Sequence, residues 1–259
     1  MSQDDVKGKF LWYELMTTDT KAAGEFYRRV IGWETKKAPL GDPAYTIISA
    51  GPSDIGGIMA LPKELCDAGG RPGWGGYIAV DDVDAYVARV QAKGGALHRA
   101  PVDVPGVLRF AVVADPYGAV FTLFKGMSEQ GPVPAPAGTP RHVGWHELLA
   151  GDGPGAFAFY SDLFGWTKAE AVDMGPMGVY QTFATGGAPV GGMMTKTPQT
   201  PAPFWLYYIN VESVDAVVAR AKEGGARLTL GPDQVPGGSW IAQLVDPQGA
   251  VFAIVGAKR

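Results

Sequence analysis

The chain is written twice. Trp12-Tyr13-Glu14-Leu15 returns as Trp145-His146-Glu147-Leu148, and Phe26-Tyr27 with Ile31-Gly32-Trp33 returns as Phe159-Tyr160 with Phe164-Gly165-Trp166. Gly56-Gly57-Ile58-Met59 returns as Gly191-Gly192-Met193-Met194, Val83-Asp84-Ala85 as Val214-Asp215-Ala216, and Gly94-Gly95-Ala96 as Gly224-Gly225-Ala226. Asp115-Pro116-Tyr117-Gly118-Ala119-Val120-Phe121 returns as Asp246-Pro247-Gln248-Gly249-Ala250-Val251-Phe252. The spacing between copies is 133 residues at the first match and 131 at the last, so they differ by small insertions and deletions in loops. One domain type used twice in 259 residues leaves about 130 for each copy, close to the usual domain size. Chemistry shared by both copies must therefore find its residues in both.

The segment Gly131-Pro132-Val133-Pro134-Ala135-Pro136-Ala137-Gly138-Thr139-Pro140 falls between them. Its prolines forbid helix and withhold ladder donors, so it reads as an extended, exposed linker. The expected organisation is an N-terminal domain at 8–127, a Pro/Gly linker at 128–141 and a C-terminal domain at 142–257.

Within each copy a finer unit repeats. Phe10 to Met16 alternates as a strand, and Asp19 or Thr20 can cap a helix to about Ile31 that Gly32 stops. Strands follow at Tyr45 to Ala50 and Ile55 to Leu61. The pattern restarts with a strand at Tyr77 to Val80, a helix from Asp82 to Lys93, and strands near 97–99, 107–113 and 119–124. The second copy predicts strand 143–149, helix 154–164, strands 179–185 and 190–195, then strand 204–211, helix 214–223 and strands near 227–230, 239–245 and 250–255. The fold class is α+β: four β-α-β-β-β units, paired within two tandem domains, each a curved, bowl-like mixed sheet with outer helices.

Several classes are disfavoured. A net charge of −4 offers no basic stripe for nucleic acid. No apolar run approaches the ~20 residues that span a bilayer. The polar start of the chain does not resemble a signal peptide, and the single Cys66 rules out an internal disulfide. The expectation is a cytoplasmic protein whose partner is a small molecule, with a monomer feasible and a homodimer open. The Gly-rich stretches at 69–73 and 237–238 lack the strand-loop-helix context of a phosphate loop and read as turns. The Gly56-Gly57 and Gly191-Gly192 pairs read as places of close backbone approach or bulging.

The first strand, the Asp19-Thr20 cap, Phe26-Tyr27, Gly32-Trp33 and the Asp-Pro-x-Gly turn before a last strand, in that order and twice over, resemble the vicinal oxygen chelate superfamily. That superfamily includes glyoxalases, extradiol dioxygenases and bleomycin-resistance proteins. The resemblance implies paired β-α-β-β-β units with a ligand in the bowl. It also implies, for the enzymes, a divalent metal held by His and Glu. The positions that match those ligands are Trp12 and Trp145, Thr122 and Ala253, Gly75 and Leu206, and, least firmly aligned, Ile58 or Met59 and Met193 or Met194. Only Thr122 offers a donor, and a poor one. The three histidines, His98, His142 and His146, have no ligand spacing. The expectation is that neither copy holds the usual metal and that no cofactor is needed.

What remains is the repeated Trp-x-Glu. Alternation puts Trp12, Glu14 and Met16 on one strand face, and Trp145, Glu147 and Leu149 on the matching face of the copy. If that face lines the bowl, Glu14 and Glu147 are candidate general bases or ligand anchors in an aromatic cavity. The structural alternative is that each carboxylate closes a hydrogen-bond network. Trp12, Trp74, Trp145, Trp205 and Trp240 are candidate surfaces for stacking a planar ligand, with core packing as the alternative. Trp33 and Trp166, beside helix-ending glycines, read as core. Arg109 is a candidate cation for Glu14 or an anionic ligand, or else a surface residue.

Three functions follow. The first is metal-independent binding, with sequestration as one use, of a small planar or aromatic molecule. The second is a metal-free enzyme with Glu14 or Glu147 abstracting a proton. The third is a metal-dependent lyase or dioxygenase, which the missing ligands disfavour.

Overall fold

The computed structural model describes residues 6–39, 44–128 and 131–259. In the first copy the elements are β1 (Phe10–Thr17), α1 (Thr20–Val30), β2 (Glu34–Lys37), β3 (Tyr45–Ala50), β4 (Ser53–Ala60), α2 (Lys63–Asp67), β5 (Gly73–Ala79), α3 (Val83–Ala92), β6 (Ala96–Val104), β7 (Leu108–Ala114) and β8 (Val120–Gly126). In the second they are β9 (Val143–Ala150), α4 (Gly153–Phe164), β10 (Thr167–Asp173), β11 (Val179–Ala184), β12 (Pro189–Thr195), β13 (Phe204–Asn210), α5 (Val214–Glu223), β14 (Arg227–Gln234), β15 (Trp240–Val245) and β16 (Val251–Gly256).

Local chemistry accounts for the helices. The Asp19 carboxylate accepts the Ala22 N–H at 2.9 Å and Asp82 accepts that of Ala85 at 3.0 Å, each satisfying a donor left open by the first turn. Gly165 ends α4 at φ 73°, a left-handed conformation cheap only for glycine.

The strands form two open, curved sheets of eight, in the orders β2-β3-β4-β1-β5-β8-β7-β6 and β10-β11-β12-β9-β13-β16-β15-β14. The α+β class and the β-α-β-β-β repeat hold. Two strands the periodicity does not mark, β2 and β10, lie at sheet edges. The β2 sequence Glu-Thr-Lys-Lys is exposed throughout, so it has no apolar alternation to read. Its strand state comes from the ladder with β3, in which Glu34 faces Ser49.

Compactness divides the chain across the repeat. Unit I gathers the residues up to Leu11, Gly76–Pro134 and His146–Trp205, and unit II gathers Trp12–Gly75, Ala135–Trp145 and Leu206–Arg259. Each unit thus contains one β-α-β-β-β module from each copy. In unit II the buried face of α1 (Ala23, Phe26, Tyr27, Val30) shares a core with that of α5 (Val214, Val217, Val218, Ala221), together with Leu15, Ile58, Leu244, Phe252 and Ile254. In unit I the core is aromatic. Trp166 stacks between Tyr160 (5.2 Å, 10°) and Phe183 (4.5 Å, 9°), and Trp205 meets Tyr160 edge-on at 5.3 Å.

One network appears in both. In unit II Trp74 Nε1–H donates to Tyr27 Oη at 3.0 Å and Tyr27 O–H donates to Asp246 Oδ2 at 3.1 Å. Asp246 Oδ1 takes the backbone N–H groups of Gln248 and Ala250 at 2.9 Å each. In unit I Trp205 donates to Tyr160 at 3.1 Å and Tyr160 to Asp115 at 3.3 Å, and Asp115 caps Tyr117 and Ala119 at 2.9 Å each. Burial raises the pKa of both aspartates despite those donors. The Asp-Pro-x-Gly motif recurs because its carboxylate both closes a turn and anchors a buried tyrosine.

Candidate functional site

Leu15 and Ile58 are register partners on β1 and β4 and are both fully buried against α1, so Trp12 and Glu14 occupy the other face of β1. There they meet Tyr45 from β3. Trp12 Nε1–H donates to Tyr45 Oη at 2.9 Å, and the Tyr45 hydroxyl bonds to Glu14. Burial first, and the Glu14 carboxylate second, raise the Tyr45 pKa far above the ordinary phenol range, with the Trp12 bond pulling the other way. Tyr45 is therefore a neutral phenol at any physiological pH.

Gly57 explains how the ring fits. It pairs with Glu14 across the parallel ladder, and a Cβ there would stand 2.1 Å from Tyr45 Oη and 2.2 Å from Cζ. Gly56 is constrained differently, since its Cβ would fall 2.2 Å from the Tyr13 carbonyl oxygen. The pair permits close approach, as its sequence suggests, but of a side chain at Gly57 as well as of backbone. The second copy repeats the arrangement in unit I. Glu147 pairs with Gly192, and a Cβ on Gly192 would stand 2.1 Å from Tyr180 Cε1 and 2.5 Å from its hydroxyl. Sequence reasoning misses Tyr45 and Tyr180. Each stands twelve residues before the second glycine of its Gly-Gly pair, a repeated spacing that is the signal for them.

The remaining candidates are dispersed. Trp74 spends its N–H on Tyr27, and Trp205, 4% exposed, spends its own on Tyr160 inside the aromatic core. Trp240 is half-buried, with the Arg259 guanidinium 5.4 Å from its ring centroid. Trp145 is half-buried on β9. Arg109 takes the surface reading that its sequence left open beside that of a cation for Glu14 or an anionic ligand. Asp84 takes it with two bonds at 2.7 and 2.9 Å and Asp103 with one at 2.9 Å, because β7 lays it beside the start of α3 and the β6 strand partner Asp103. Trp33 and Trp166 are core residues, as expected, each donating its N–H to a carbonyl at 2.7 Å, of Arg141 and Gly8 respectively.

A narrow cleft lies within unit II, lined by Tyr13, Trp33, Ile48, Trp74, Tyr207 and Phe252 among others. Tyr13 shares the Leu15 face of β1, so this cleft and Glu14 are on opposite sides of the strand.

The donor set does not fit the divalent metal that the resemblance implies. An indole N–H at Trp12, glycine at Gly75 and a lone hydroxyl at Thr122 cannot supply it, nor can Ala253 and Leu206 in the second copy. Among the described residues no three His, Cys, Asp or Glu side chains converge to hold a metal. His146 is buried, stacked on Phe10 at 4.5 Å, and bonded through Nδ1 to the Val190 carbonyl at 2.8 Å. Burial pushes its pKa down to about 4.

The sequence profile of the Glyoxalase/Bleomycin resistance protein/Dioxygenase superfamily matches residues 9–123 and again 141–254. The chain belongs to that superfamily. Among curated proteins it is 32% identical over 258 residues to a Mycobacterium tuberculosis protein provisionally named glyoxylase CFP32, covering 94% of this chain and 93% of that one. It is 35% identical over 262 residues to the anthracycline biosynthesis protein DnrV of Streptomyces peucetius, covering 94% and 91%. Among solved structures, the Mn(II)-bound glyoxalase from Novosphingobium aromaticivorans aligns with a TM-score of 0.66 at 18% identity, over 96% of this chain and 82% of that one. The 2,3-dioxygenase LapB from Pseudomonas sp. KL28 aligns at 0.65 and 14% identity, over 96% and 92%. At such identities the structural likeness speaks for the fold. No helix among the described residues is long and apolar enough to cross a membrane.

Proposed function

We propose that the protein binds a small planar or aromatic organic molecule on the Trp12–Glu14 face of β1, without a metal held by the superfamily's usual ligand set. The observation that carries this reading is the Trp12–Tyr45–Glu14 network. It sets the indole of Trp12, at a position where the resemblance places a metal ligand, beside the Glu14 carboxylate. A flat apolar surface with one polar anchor is the pattern that fixes a planar molecule in orientation. The resemblance to a protein named for anthracycline biosynthesis supports a fused aromatic ligand. Glu147, paired with Gly192 below Tyr180 in unit I, offers the second copy's version of the carboxylate end of the site.

The test is a fluorescence titration of chelator-treated protein with planar aromatics, paired with elemental analysis. Saturable tryptophan quenching that survives chelation and is lost in Trp12→Ala is the expected result. A stoichiometric zinc, iron, nickel or manganese whose removal abolishes binding sinks it.

A metal-free enzyme is the second reading. The observation favouring it is that Tyr45, a phenol held protonated, lies against Glu14, a donor and an acceptor side by side as proton abstraction next to a carbonyl requires. On this reading Glu14→Gln or Glu147→Gln binds ligand and loses turnover.

A further inference from the structure

We propose that the seam between α1 and α5 in unit II is a docking surface for an acidic segment of a partner protein, held by Arg28, Arg29, Arg141, Arg220 and Lys222. The proposal is independent of the planar-ligand reading.

Three elements bring these side chains together. Arg220, in the last turn of α5, donates through Nε and Nη2 to the Val30 carbonyl of α1 at 3.3 and 3.0 Å. Arg141, at the exit of the linker, donates to the Gly32 carbonyl at 3.4 Å, while its own carbonyl takes the Trp33 N–H. Arg29 reaches along the seam to the end of α5, since a Cβ on Gly224 would stand 2.8 Å from its Nη2. Arg28 is its neighbour in the last turn of α1, and Lys222 lies in the last turn of α5. All five residues are exposed. The bonds they make go to neutral carbonyls. Among the described residues no carboxylate comes within ion-pair distance of any of the five, those of Glu25 and Glu223 on the same two helices included.

Capping the last turn of a helix accounts for Arg141 and Arg220. It does not account for the other three, as the second seam shows. In unit I, Arg89 of α3 donates to the Asp162 carbonyl of α4 at 2.9 Å, a cap of the same kind. The residues around it are neutral or balanced. Phe26-Tyr27-Arg28-Arg29 corresponds to Phe159-Tyr160-Ser161-Asp162, and Gly8 takes the Trp166 N–H where Arg141 takes that of Trp33. Lys93 ends α3 where Gly224 ends α5, and it forms an ion pair with Asp162. One seam holds a capping arginine and a closed ion pair, and the other gathers five cations with no counter-charge.

The whole chain carries −4, so this local excess makes a positive field against an acidic background. Carboxylates on an extended segment can meet the guanidiniums one by one in charge-assisted pairs. A compact anion fits less well, because the negative ends of two helix dipoles point at the seam. A nucleic acid extends past a patch of this size and meets the acidic remainder.

The probe is a fluorescein-labelled octaglutamate, titrated by anisotropy against the full-length protein at about 50 mM salt and again at higher salt. The wild type is expected to bind it, with affinity falling as salt rises. Arg28→Ser with Arg29→Asp gives the seam the residues of unit I and should weaken binding about tenfold. Lys125→Asp with Lys168→Ser makes the same change in charge at exposed positions of unit I and should alter binding by less than about twofold. Melting curves check both variants. If the first melts early, Arg29→Gln, which puts no negative charge at the helix end, should still weaken binding about threefold. No binding by the wild type, equal losses in the two double variants, or wild-type binding by Arg29→Gln overturns the proposal. Displacement of the peptide by inorganic phosphate at equal charge, or tighter binding of a single-stranded RNA of the same charge, also overturns it, by assigning the patch to a small anion or to nucleic acid.

Discussion

In unit I the Trp166 indole is enclosed by Tyr160, Phe183 and a tilted Phe10. At the repeat-equivalent place in unit II, Trp33 has Tyr27 at 5.4 Å, but Ile48 and Val143 stand where Phe183 and Phe10 stand in the copy. The cleft in unit II lies where unit I has two aromatic rings. The hydrogen-bond networks beneath, Trp74–Tyr27–Asp246 and Trp205–Tyr160–Asp115, match partner for partner. Duplication has preserved directional bonds and let apolar volume drift. A buried donor without its acceptor costs ~1–3 kcal/mol, whereas a change in apolar volume can be partly absorbed by neighbours. The copies therefore differ in cavity before they differ in network.

Splitting the chain at the repeat should have the largest effect. Each compact unit needs a module from each copy, and residues 8–127 alone leave the apolar face of α1 without the α5 residues that share its core. We expect that fragment to dimerise or aggregate. A cooperatively melting monomer by sedimentation and circular dichroism would break the idea that the units cross the repeat. Next, Phe183→Ala should cost about 3–5 kcal/mol. Ile48→Ala should cost at least about 1 kcal/mol less, because Ile48 already borders the cleft. Equal losses in denaturant unfolding would mean the two surroundings are packed alike.

The third contrast is in pH. His146 in unit I occupies the place that Tyr13 holds in unit II. Its folded pKa is depressed to about 4 from 6.5, so below about pH 6.5 the unfolded chain takes up a proton that the folded chain refuses. Stability should fall by about 2 kcal/mol between pH 7 and pH 5 on this account and level off below about pH 4. His146→Phe, which keeps a ring against Phe10, should remove that part of the slope; an unchanged slope places the titration elsewhere. The smallest effect should come from Ile48→Phe, which puts a ring into the unit II cleft. We expect a change within about 1.5 kcal/mol in the melt, since space exists for part of the added volume. A larger loss would show that the cleft is too shallow to take a ring.

Much of the fold is legible in the sequence. Asp19 and Asp82 announce their helices, the glycines after them announce the stops, and strand alternation places Trp12 and Glu14 together on one face. The two edge strands are not legible, since exposed polar residues such as those of β2 acquire strand structure only from a neighbour's ladder. In the candidate site the Trp and Glu are readable as a repeated pair. Tyr45 is not, because it comes from another strand and reaches Glu14 only across the sheet. The partners of Arg109 are not legible either. Its strand is correctly placed, but the carboxylates it meets come from β6 and α3.

Sequence alone determined the duplication, the order of elements, the helix caps and the residue types at the positions where relatives hold a metal. These depend on interactions a few residues long or on the identity of a side chain. Only the tertiary structure decided that each compact unit takes one module from each copy, that Asp115 and Asp246 anchor buried tyrosines, and that Gly57 is glycine so that Tyr45 can lie between Trp12 and Glu14. Those outcomes depend on which apolar faces find each other across a hundred residues or more, and on the room left once they have.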